Sequence, residues 1–378
     1  MKNKKIYDVI VSGLGGMGSA TCAHLAQSGV SVLGLEKHSL PHHKGSSHGN
    51  TRVIRQAYFE HPDYVPLLKA AYKHWHKLEE ETQRRLFFKT GVLVCGSKDS
   101  EMIAGIQKSA HTHQLQTDLL SNLELRSQFP QFKLPEHYIG ILEKNAGFLK
   151  VEDCVESYHQ LAKRSGAALH ENEFVTSWKK NGTTLEVQTN QSQYFTQKLI
   201  LTQGAWSNFL KSIKLKILRK TMYWFKDEKL QYHPSKQTPS YLFDLNSEGI
   251  FYGTPTIDSL GLKVAVHSGG EMLNNPNELH SFPSAHEEFK LIKDKLCHIL
   301  NLDLSTYTQF THCMYTMSPD SHFIIDQHPA CDEIYFACGF SGHGFKFASV
   351  IGEILSKLAL TGKPPYPIDF LKLSRFTR

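Results

Sequence analysis

A glycine-rich loop near the amino terminus has the residue spacing of a phosphate-binding turn. Gly13, Gly15 and Gly18 form a G-x-G-x-x-G pattern between an apolar run and a helix-forming run. In such a loop the first glycine allows a tight turn, the second lets the backbone approach a pyrophosphate, and the third lets helix and strand pack closely. Glu36 ends the next apolar run, where a carboxylate hydrogen-bonds ribose hydroxyls. The pattern predicts a dinucleotide site and leaves NAD and FAD as alternatives.

Basic side chains at two places have a spacing that would put them on a shared face of a helix or a strand. Arg52 and Arg55 are three residues apart, which would place them on one side of a helical turn. A guanidinium group binds a carboxylate through two parallel hydrogen bonds, although a pair of solvated surface arginines is the alternative. In residues 261–267, strand alternation puts Lys263 and His267 on one face.

The cysteine and histidine patterns do not indicate a metal centre. The seven cysteines contain no CxxC spacing, so neither a zinc site nor a disulfide framework is predicted. Most are expected to be buried thiols in a reducing cytoplasm. The 22 histidines lack helix-face ligand spacing with a carboxylate partner, and we predict no metal.

Composition limits the class of protein. The 378 residues are 40% hydrophobic and 21% charged, as in ordinary globular proteins. The net charge of +6 is spread along the chain without a basic block, so nucleic-acid binding is not expected. No apolar run approaches the roughly 18 residues of a membrane span, and the amino-terminal run is too short for a signal-peptide core. We therefore expect a cytoplasmic protein without a membrane partner.

The elements that must position these residues follow from hydrophobic periodicity. Residues 7–12, 17–28 and 30–35 predict a strand, a helix and a second strand, which make one βαβ unit. Further helices are predicted over 64–84, 101–113, 153–166 and 348–360, and further strands over 91–95, 174–189 (a hairpin), 198–202, 220–226, 249–252 and 334–337. Because the parallel-strand pieces lie at the two ends and in the middle, the chain is predicted to be an α/β protein with a nucleotide domain interrupted twice.

Three longer segments carry a family resemblance. Residues 45–58 read GSSHGNTRVIRQAY, residues 313–316 read CMYT and precede PD and FIID, and residues 339–349 read GFSGHGFKFAS. In this order they resemble the signatures of the monomeric sarcosine oxidase and N-methyl-L-tryptophan oxidase family, which are FAD-dependent amine oxidases of the D-amino-acid-oxidase-like superfamily. The likeness runs from residue 6 to the carboxyl terminus.

The resemblance implies a fold class and a division of the chain. The expected fold is α/β, with a Rossmann-like FAD-binding domain and an interleaved second domain built on a mostly antiparallel sheet with helices. The implied segments are residues 1–87, 148–215 and 311–378 for the FAD-binding domain, and residues 88–147 and 216–310 for the substrate domain.

The resemblance also implies the contacts with FAD and with the substrate carboxylate. Cys313 corresponds to the cysteine that bonds to the flavin 8α-methyl carbon, for which a thiolate is a suitable nucleophile; a buried structural thiol is the alternative. Arg52 is expected against the flavin ring, and Arg55 and Lys346 are expected to bracket the substrate carboxylate. The remaining implied FAD contacts are Ser46, His48, Thr51, Gly342, His343, Gly344, Phe345 and Lys346.

Three residues are implied for catalysis beside Arg52. Lys263 resembles the lysine that activates oxygen, since a buried ammonium stabilises superoxide. His267 resembles an active-site histidine that faces the substrate, and Tyr252 an aromatic that lines the amine pocket. A satisfied core histidine and a core-packing aromatic are the respective alternatives.

The implied reaction is oxidation of a secondary N-methyl amino acid to an imine, with O2 reduced to hydrogen peroxide. The alternatives are an oxidase of a cyclic secondary amino acid such as pipecolate or proline, an FAD dehydrogenase of the same fold, and an inactive flavoprotein. A monomer is the expected assembly. The family usually has aspartate, histidine and glycine where Asn50, Gln56 and Phe59 stand, so the identity of the substrate stays open.

Overall fold

The amino-terminal runs form the predicted βαβ unit in the computed structural model, which describes residues 5–210, 213–280 and 286–376. Strands β1 (Ile6–Ser12) and β2 (Val32–Leu35) pair in parallel, and helix α1 (Gly16–Gln27) connects them. β2 is buried along its whole length, as expected of a strand inside a parallel sheet.

The other regular elements follow in chain order. The helices are α2 (Tyr64–Thr82), α3 (Glu101–His113), α4 (Asn122–Gln128), α5 (Val151–Arg164), α6 (His286–Leu296) and α7 (Ala348–Thr361). The strands are β3 (Thr51–Ile54), β4 (Phe87–Phe88), β5 (Val92–Ser97), β6 (Asp118–Leu120), β7 (Tyr138–Glu143), β8 (Gly147–Lys150), β9 (Ala168–His170), β10 (Val175–Asn181), β11 (Thr184–Thr189), β12 (Gln193–Leu201), β13 (Lys216–Phe225), β14 (Ser240–Asp244), β15 (Ile250–Thr254), β16 (Leu262–Val266), β17 (Glu271–Leu273), β18 (Gln309–Met317), β19 (Ile324–His328) and β20 (Cys331–Cys338).

The first sheet has a parallel centre in the order β20, β12, β1, β2 and β9. Strands β10, β11 and β19 extend it in antiparallel fashion. Helices α1, α2, α5 and α7 cover one face, where their apolar side chains form a single core with those of β1. The carboxyl end of β1 leads into the glycine loop, so this sheet positions the predicted dinucleotide site.

The second sheet has nine strands in the order β17, β13, β16, β15, β14, β5, β7 and β6, with β18 also paired to β13. Its pairs are antiparallel apart from the parallel pair of β14 with β5. A separate core rich in aromatic side chains lies on this sheet under α4 and α6. A small sheet of β3, β8 and β4 is the third.

The predicted fold class is confirmed, and most predicted elements are present within a few residues. The predicted hairpin is formed by β10 and β11 and turns at Gly182, which has a φ of 62°. The strand predicted over 198–202 is longer than expected, because the first half of β12 also pairs with β11. The division into five segments stays a prediction, and β18 pairs with the second sheet although most of it lies in the last FAD-binding segment. In the described ranges, no helix has the length and apolar content needed to cross a membrane.

Candidate active site

A cleft of about 830 Å³ runs from the glycine loop to the turn before α7. Its walls come from the first sheet at one end and from the second sheet at the other. The predicted site residues that line it are Gly13, Gly15, Glu36, Ser46, Arg52, Arg55, Tyr252, His267, Cys313, Gly342, His343, Gly344, Phe345 and Lys346. Gly18, His48, Thr51 and Lys263 lie behind this lining.

The glycine loop has the geometry that its sequence predicts. Gly13 has a φ of 95°, and a Cβ atom there would lie 2.6 Å from the carbonyl oxygen of Thr202. A Cβ atom at Gly18 would lie 1.8 Å from the carbonyl oxygen of Gly13. Only glycine therefore allows α1 to begin so close to the end of β1.

Glu36 lies at the end of β2 and closes the loop from the other side. Its carboxylate accepts hydrogen bonds from the backbone N–H groups of Leu14, at 2.7 Å, and His38, at 3.1 Å. Burial alone would raise the pKa of Glu36, but His42 and these N–H groups lower it below its usual value. The carboxylate is thus charged at neutral pH and still reaches the cleft.

The cleft residues fit FAD. The first turns of α1 and of α7 contain no acidic side chain, so both helix amino termini present uncancelled positive dipole ends. The first lies at the glycine loop, where it would hold the pyrophosphate. The second follows the Phe345–Phe347 turn at the other end of the cleft, where backbone amides would stabilise an anionic flavin ring. A bound FAD would supply two-electron redox chemistry.

Cys313 and Arg52 meet on the wall between the two sheets. β18 carries Cys313, whose side chain is buried, and an Nη2 atom of Arg52 lies 3.5 Å from its Sγ atom. The guanidinium group is fixed because it donates to the carbonyl oxygens of Thr51, at 2.9 Å, and Ser46, at 3.0 Å. Arg52 therefore places a fixed cation against the Cys313 sulfur.

The helical-turn interpretation of the two arginines is wrong. Arg52 lies in β3, which pairs with β8, and Arg55 follows directly after this strand. An isolated Arg-x-x-Arg spacing does not distinguish a helix from a strand end, and the β-branched Thr51, Val53 and Ile54 favour the strand. Both arginines nevertheless reach the same cleft.

Arg55 is buried and already has a carboxylate partner. Its guanidinium group donates to both Glu60 carboxylate oxygens, at 3.0 and 3.2 Å, and to the carbonyl oxygen of Ala57, at 2.6 Å. The rings of Tyr58 and Phe59 lie on it, with centroids 4.5 and 4.6 Å from Cζ. Burial alone would raise the pKa of Glu60, but Arg55 above all lowers it to about 2. Arg55 and Glu60 therefore form a charged pair.

Lys346 lies close to this pair. Its Nζ atom donates to the carbonyl oxygen of His343, at 2.9 Å, and lies 5.3 Å from the centre of the Tyr58 ring. Burial and the charge of Arg55 lower the pKa of Lys346 to about 7, against the opposing effect of Glu60. Arg55 and Lys346 thus contact the same tyrosine ring, and Lys346 is poised to change charge near neutral pH.

His267 and two tyrosines line the wall contributed by the second sheet. The Nδ1 atom of His267 lies 3.2 Å from the hydroxyl oxygen of Tyr315, and the Tyr252 ring meets the imidazole edge to face. Burial lowers the pKa of His267 to about 4, so its imidazole is neutral at pH 7. The predicted shared face of Lys263 and His267 is present in β16 and the residue that follows it.

Lys263 lies behind the cleft lining in a fully satisfied site. Its Nζ atom donates to the carbonyl oxygens of Gly49, at 2.7 Å, and Thr51, at 2.8 Å, and to the Thr51 hydroxyl, at 3.3 Å. Burial lowers its pKa well below the ordinary value, and the neighbouring Arg52 lowers it further. Lys263 shares the Thr51 carbonyl with Arg52, which does line the cleft.

Several predicted FAD contacts organise the loop of residues 45–51. Ser46 donates to the carbonyl oxygen of Met314 at 2.8 Å, and the Thr51 hydroxyl lies 2.9 Å from that of Thr254. His48 is buried, and its Nε2 atom lies 3.0 Å from the Gly45 carbonyl oxygen. Burial, Arg52 and His43 lower the pKa of His48 to about 2, so it is neutral.

Glu60 and Tyr315 line the cleft but were not assigned from the sequence, and Phe59, noted there only as a departure from the family, lines it too. The signal for Glu60 was an acid five residues after Arg55, which only the folded loop turns into an ion pair. The structure gives contacts for two of the residues that depart from the family pattern. Phe59 packs on Arg55, and the Asn50 side chain donates to Asp258 at 2.9 Å. Within the part of the chain that the structure describes, no cluster of three His, Cys, Asp or Glu side chains could hold a metal ion.

Comparison with known proteins identifies the family of the chain. The family model described as "FAD dependent oxidoreductase" (DAO) matches residues 8–358. The monomeric sarcosine oxidase of Arthrobacter sp. (strain TE1826) is 36% identical over 99% of this chain and 98% of its own. The N-methyl-L-tryptophan oxidase of Citrobacter koseri is 32% identical over 98% of this chain and 100% of its own.

A solved structure extends the comparison to the fold. The L-proline dehydrogenase of P. horikoshii superposes with a TM-score of 0.85 over 99% of both chains, at 21% identity. The family model and the sequence matches show that the chain belongs to the DAO family of FAD-dependent oxidoreductases, in the group that contains the monomeric sarcosine oxidases and the N-methyl-L-tryptophan oxidases.

Proposed function

We propose that this enzyme oxidises a secondary N-methyl amino acid of the sarcosine or N-methyl-L-tryptophan type. The amine and O2 give an imine and hydrogen peroxide, and water then hydrolyses the imine to the amino acid and formaldehyde. The observation that carries the proposal is the convergence of Arg55 and Lys346 on the Tyr58 ring, at a cleft that His267 also lines. This arrangement suits a small molecule with a carboxylate and a nearby amine.

The carboxylate would bind between the two cations. Arg55 offers a planar fork that matches a carboxylate, and Lys346 adds a second positive charge. Because Glu60 already occupies the fork, a substrate carboxylate would compete with it for Arg55. Buried charges need such partners, so the site is stable before the substrate arrives.

The amine would lie toward His267, Tyr252 and Tyr315. Since His267 is neutral at pH 7, it adds no positive charge that would repel the substrate. The tyrosine rings give the amine an apolar wall, and the Phe59 ring lines the same cleft. An apolar surrounding favours the neutral amine, which is the form that gives up a hydride equivalent.

Cys313 and Lys263 complete the proposed assignment. Cys313 would hold the flavin covalently, supported by the Arg52 guanidinium group next to its sulfur. Lys263 would favour the reduction of O2, supported by the acceptors around its Nζ atom, which suit an ammonium. The further partners are the amino-acid substrate and O2, the assembly is a monomer, and the compartment is the cytoplasm.

Peroxide release tests the proposal directly. We expect the purified flavoprotein to release hydrogen peroxide with sarcosine or N-methyl-L-tryptophan, in equal amounts with formaldehyde. Pipecolate and proline, which carry no N-methyl group, serve as the comparison. Faster turnover of these would assign a cyclic secondary amino acid instead, and turnover only with an artificial electron acceptor would assign a dehydrogenase.

A further inference from the structure

Glu152 faces the loop that surrounds Lys263, although it is not among the residues that line the cleft. It lies in the first turn of α5, and its carboxylate accepts a hydrogen bond from the Gly49 N–H at 2.6 Å. The N–H of Asn50 donates to the same carboxylate, at 3.1 and 3.2 Å from its two oxygens. Both N–H groups lie at the backbone turn whose carbonyl groups receive Lys263.

One peptide group connects the acid to the lysine. The Asn50 N–H and the Gly49 carbonyl belong to the same peptide, and the Gly49 oxygen accepts from Lys263 Nζ at 2.7 Å. An anion at the N–H end of a peptide polarises it and increases the negative charge on its oxygen. The hydrogen bond from the peptide N–H to Glu152 and the hydrogen bond from Lys263 to the peptide oxygen therefore strengthen each other.

The charges around Lys263 explain why such a link is needed. Its neighbours are Arg52 on β3, Cys313 on β18 and the Trp224 ring on β13, with the Thr51 and Thr254 hydroxyl groups beside them. Burial and Arg52 oppose a second positive charge there, whereas Glu152 favours it. A buried lysine and a partly buried arginine that share the Thr51 carbonyl need a counter-charge.

We propose that Glu152 is a positioning residue that acts through the Gly49–Asn50 peptide and holds Lys263 in its charged form. The proposal rests on the oxygen-directed role given to Lys263 under the proposed function. Glu152 touches neither the cleft nor the reacting atoms. Its contribution is to keep the ammonium charged at the pH at which the enzyme works.

The test is the ionisation of Lys263 in Glu152→Gln. Glutamine keeps the shape of the side chain but removes the charge. In ¹⁵N-lysine-labelled holoenzyme, the Lys263 Nζ signal is identified by its loss in Lys263→Met. We expect its titration midpoint to fall in Glu152→Gln by on the order of one pH unit, the effect of a single charge in a protein interior. The pH profile of flavin reoxidation by O2 should shift down by the same amount, while flavin reduction by substrate keeps its rate.

Asp153→Asn is the matched control. Asp153 follows in the same helical turn and pairs with Arg84 at 3.2 Å, so the variant removes an equal charge without touching the loop. Its Lys263 midpoint should equal that of the wild type. An unchanged midpoint in Glu152→Gln, or an equal fall in Asp153→Asn, would overturn the proposal.

A second variant keeps the proposal testable if Glu152→Gln does not fold. Glu152→Asp retains the charge on a shorter side chain, and we expect its Lys263 midpoint to stay near that of the wild type. A fall of a full unit in this variant would show that charge is not the cause. If Lys263→Met reacts with O2 as fast as the wild type, the role of Lys263 fails, but the titration still decides the role of Glu152.

Discussion

Arg55, Lys346 and Glu60 place two cations and one carboxylate at the same buried end of the cleft. Such a cluster has a net positive charge only while Lys346 is protonated. Because the pKa of Lys346 is lowered to about 7, the net charge at this end changes within the working range of most enzymes. Binding of an anion here is therefore expected to depend both on Arg55 and on pH.

Replacement of Arg55 tests the carboxylate assignment. We expect Arg55→Ala to weaken the inhibition by acetate or a thioether acetate by about 30-fold or more, since removal of one partner of a buried charge pair costs about 2–5 kcal/mol. Inhibition constants measured at one pH give the comparison. Arg84→Ala is the control, because Arg84 is also an ion-paired arginine, with Asp153 and Glu156, but lies outside the cleft lining. Equal inhibition constants for Arg55→Ala and the wild type would move the anion site elsewhere.

The pH dependence of the same inhibition tests Lys346. Its ammonium form is present below the pKa of about 7 and is lost as the pH rises through it, so acetate should bind more weakly above this pH. Acetate stays ionised near this pH and carries no amine, so the inhibitor itself does not titrate. His267 and His343, with pKa values of about 4 and about 3, stay neutral near this pH and do not contribute either. In Lys346→Met, acetate should bind more weakly and without this pH dependence. A sloping profile in that variant would contradict the assignment.

At the scale of elements, different glycines of the loop serve packing and cofactor binding. A Cβ atom at Gly18 would meet the Gly13 carbonyl, whereas one at Gly15 would meet only the Ser47 hydroxyl, at 3.6 Å, and face the cleft. We expect Gly18→Ala to lower the free energy of unfolding by about 1–3 kcal/mol or more, the cost of overpacking. Gly15→Ala should change it by less than about 0.5 kcal/mol, yet weaken flavin binding.

Denaturant unfolding of the two apoproteins measures the first effect, and flavin content after reconstitution measures the second. The two alanine variants serve as controls for each other, because each adds the same methyl group to the same loop. If Gly15→Ala unfolded as easily as Gly18→Ala, the separation between packing and binding would not hold.

Periodicity predicted the elements that are locally determined and missed those that are not. The βαβ unit and α3 follow from the apolar spacing and the glycine or serine at their ends. β3 was not predicted, because its four residues have no alternation of their own and become a strand only by pairing with β8. For the same reason the Arg55–Glu60 pair was not visible: it depends on the loop after β3.

At the scale of the whole molecule, the proposed flavin bond would join the two sheets. Cys313 belongs to β18 of the second sheet, while the glycine loop follows β1 of the first. We expect acid precipitation of the wild type to leave the yellow flavin in the pellet, and Cys313→Ala to release it to the supernatant. Cys338→Ala, which removes another buried thiol, should behave like the wild type. Release of flavin from all three proteins would exclude the bond.

The parallel centre of the first sheet has a consequence for biosynthesis. On one side, β1 pairs with β2 of the same βαβ unit. On its other side it pairs with β12, where Ile6 lies opposite Phe195, which is far along the chain. Closing so long a loop is entropically costly and slows folding, and one edge of β1 stays unpaired while the nascent chain grows. The Thr202 hydroxyl, which follows β12, donates to the Gly13 carbonyl oxygen at 2.8 Å. The glycine loop therefore gains this hydrogen bond only after the threonine has left the ribosome, long after the motif itself has been translated.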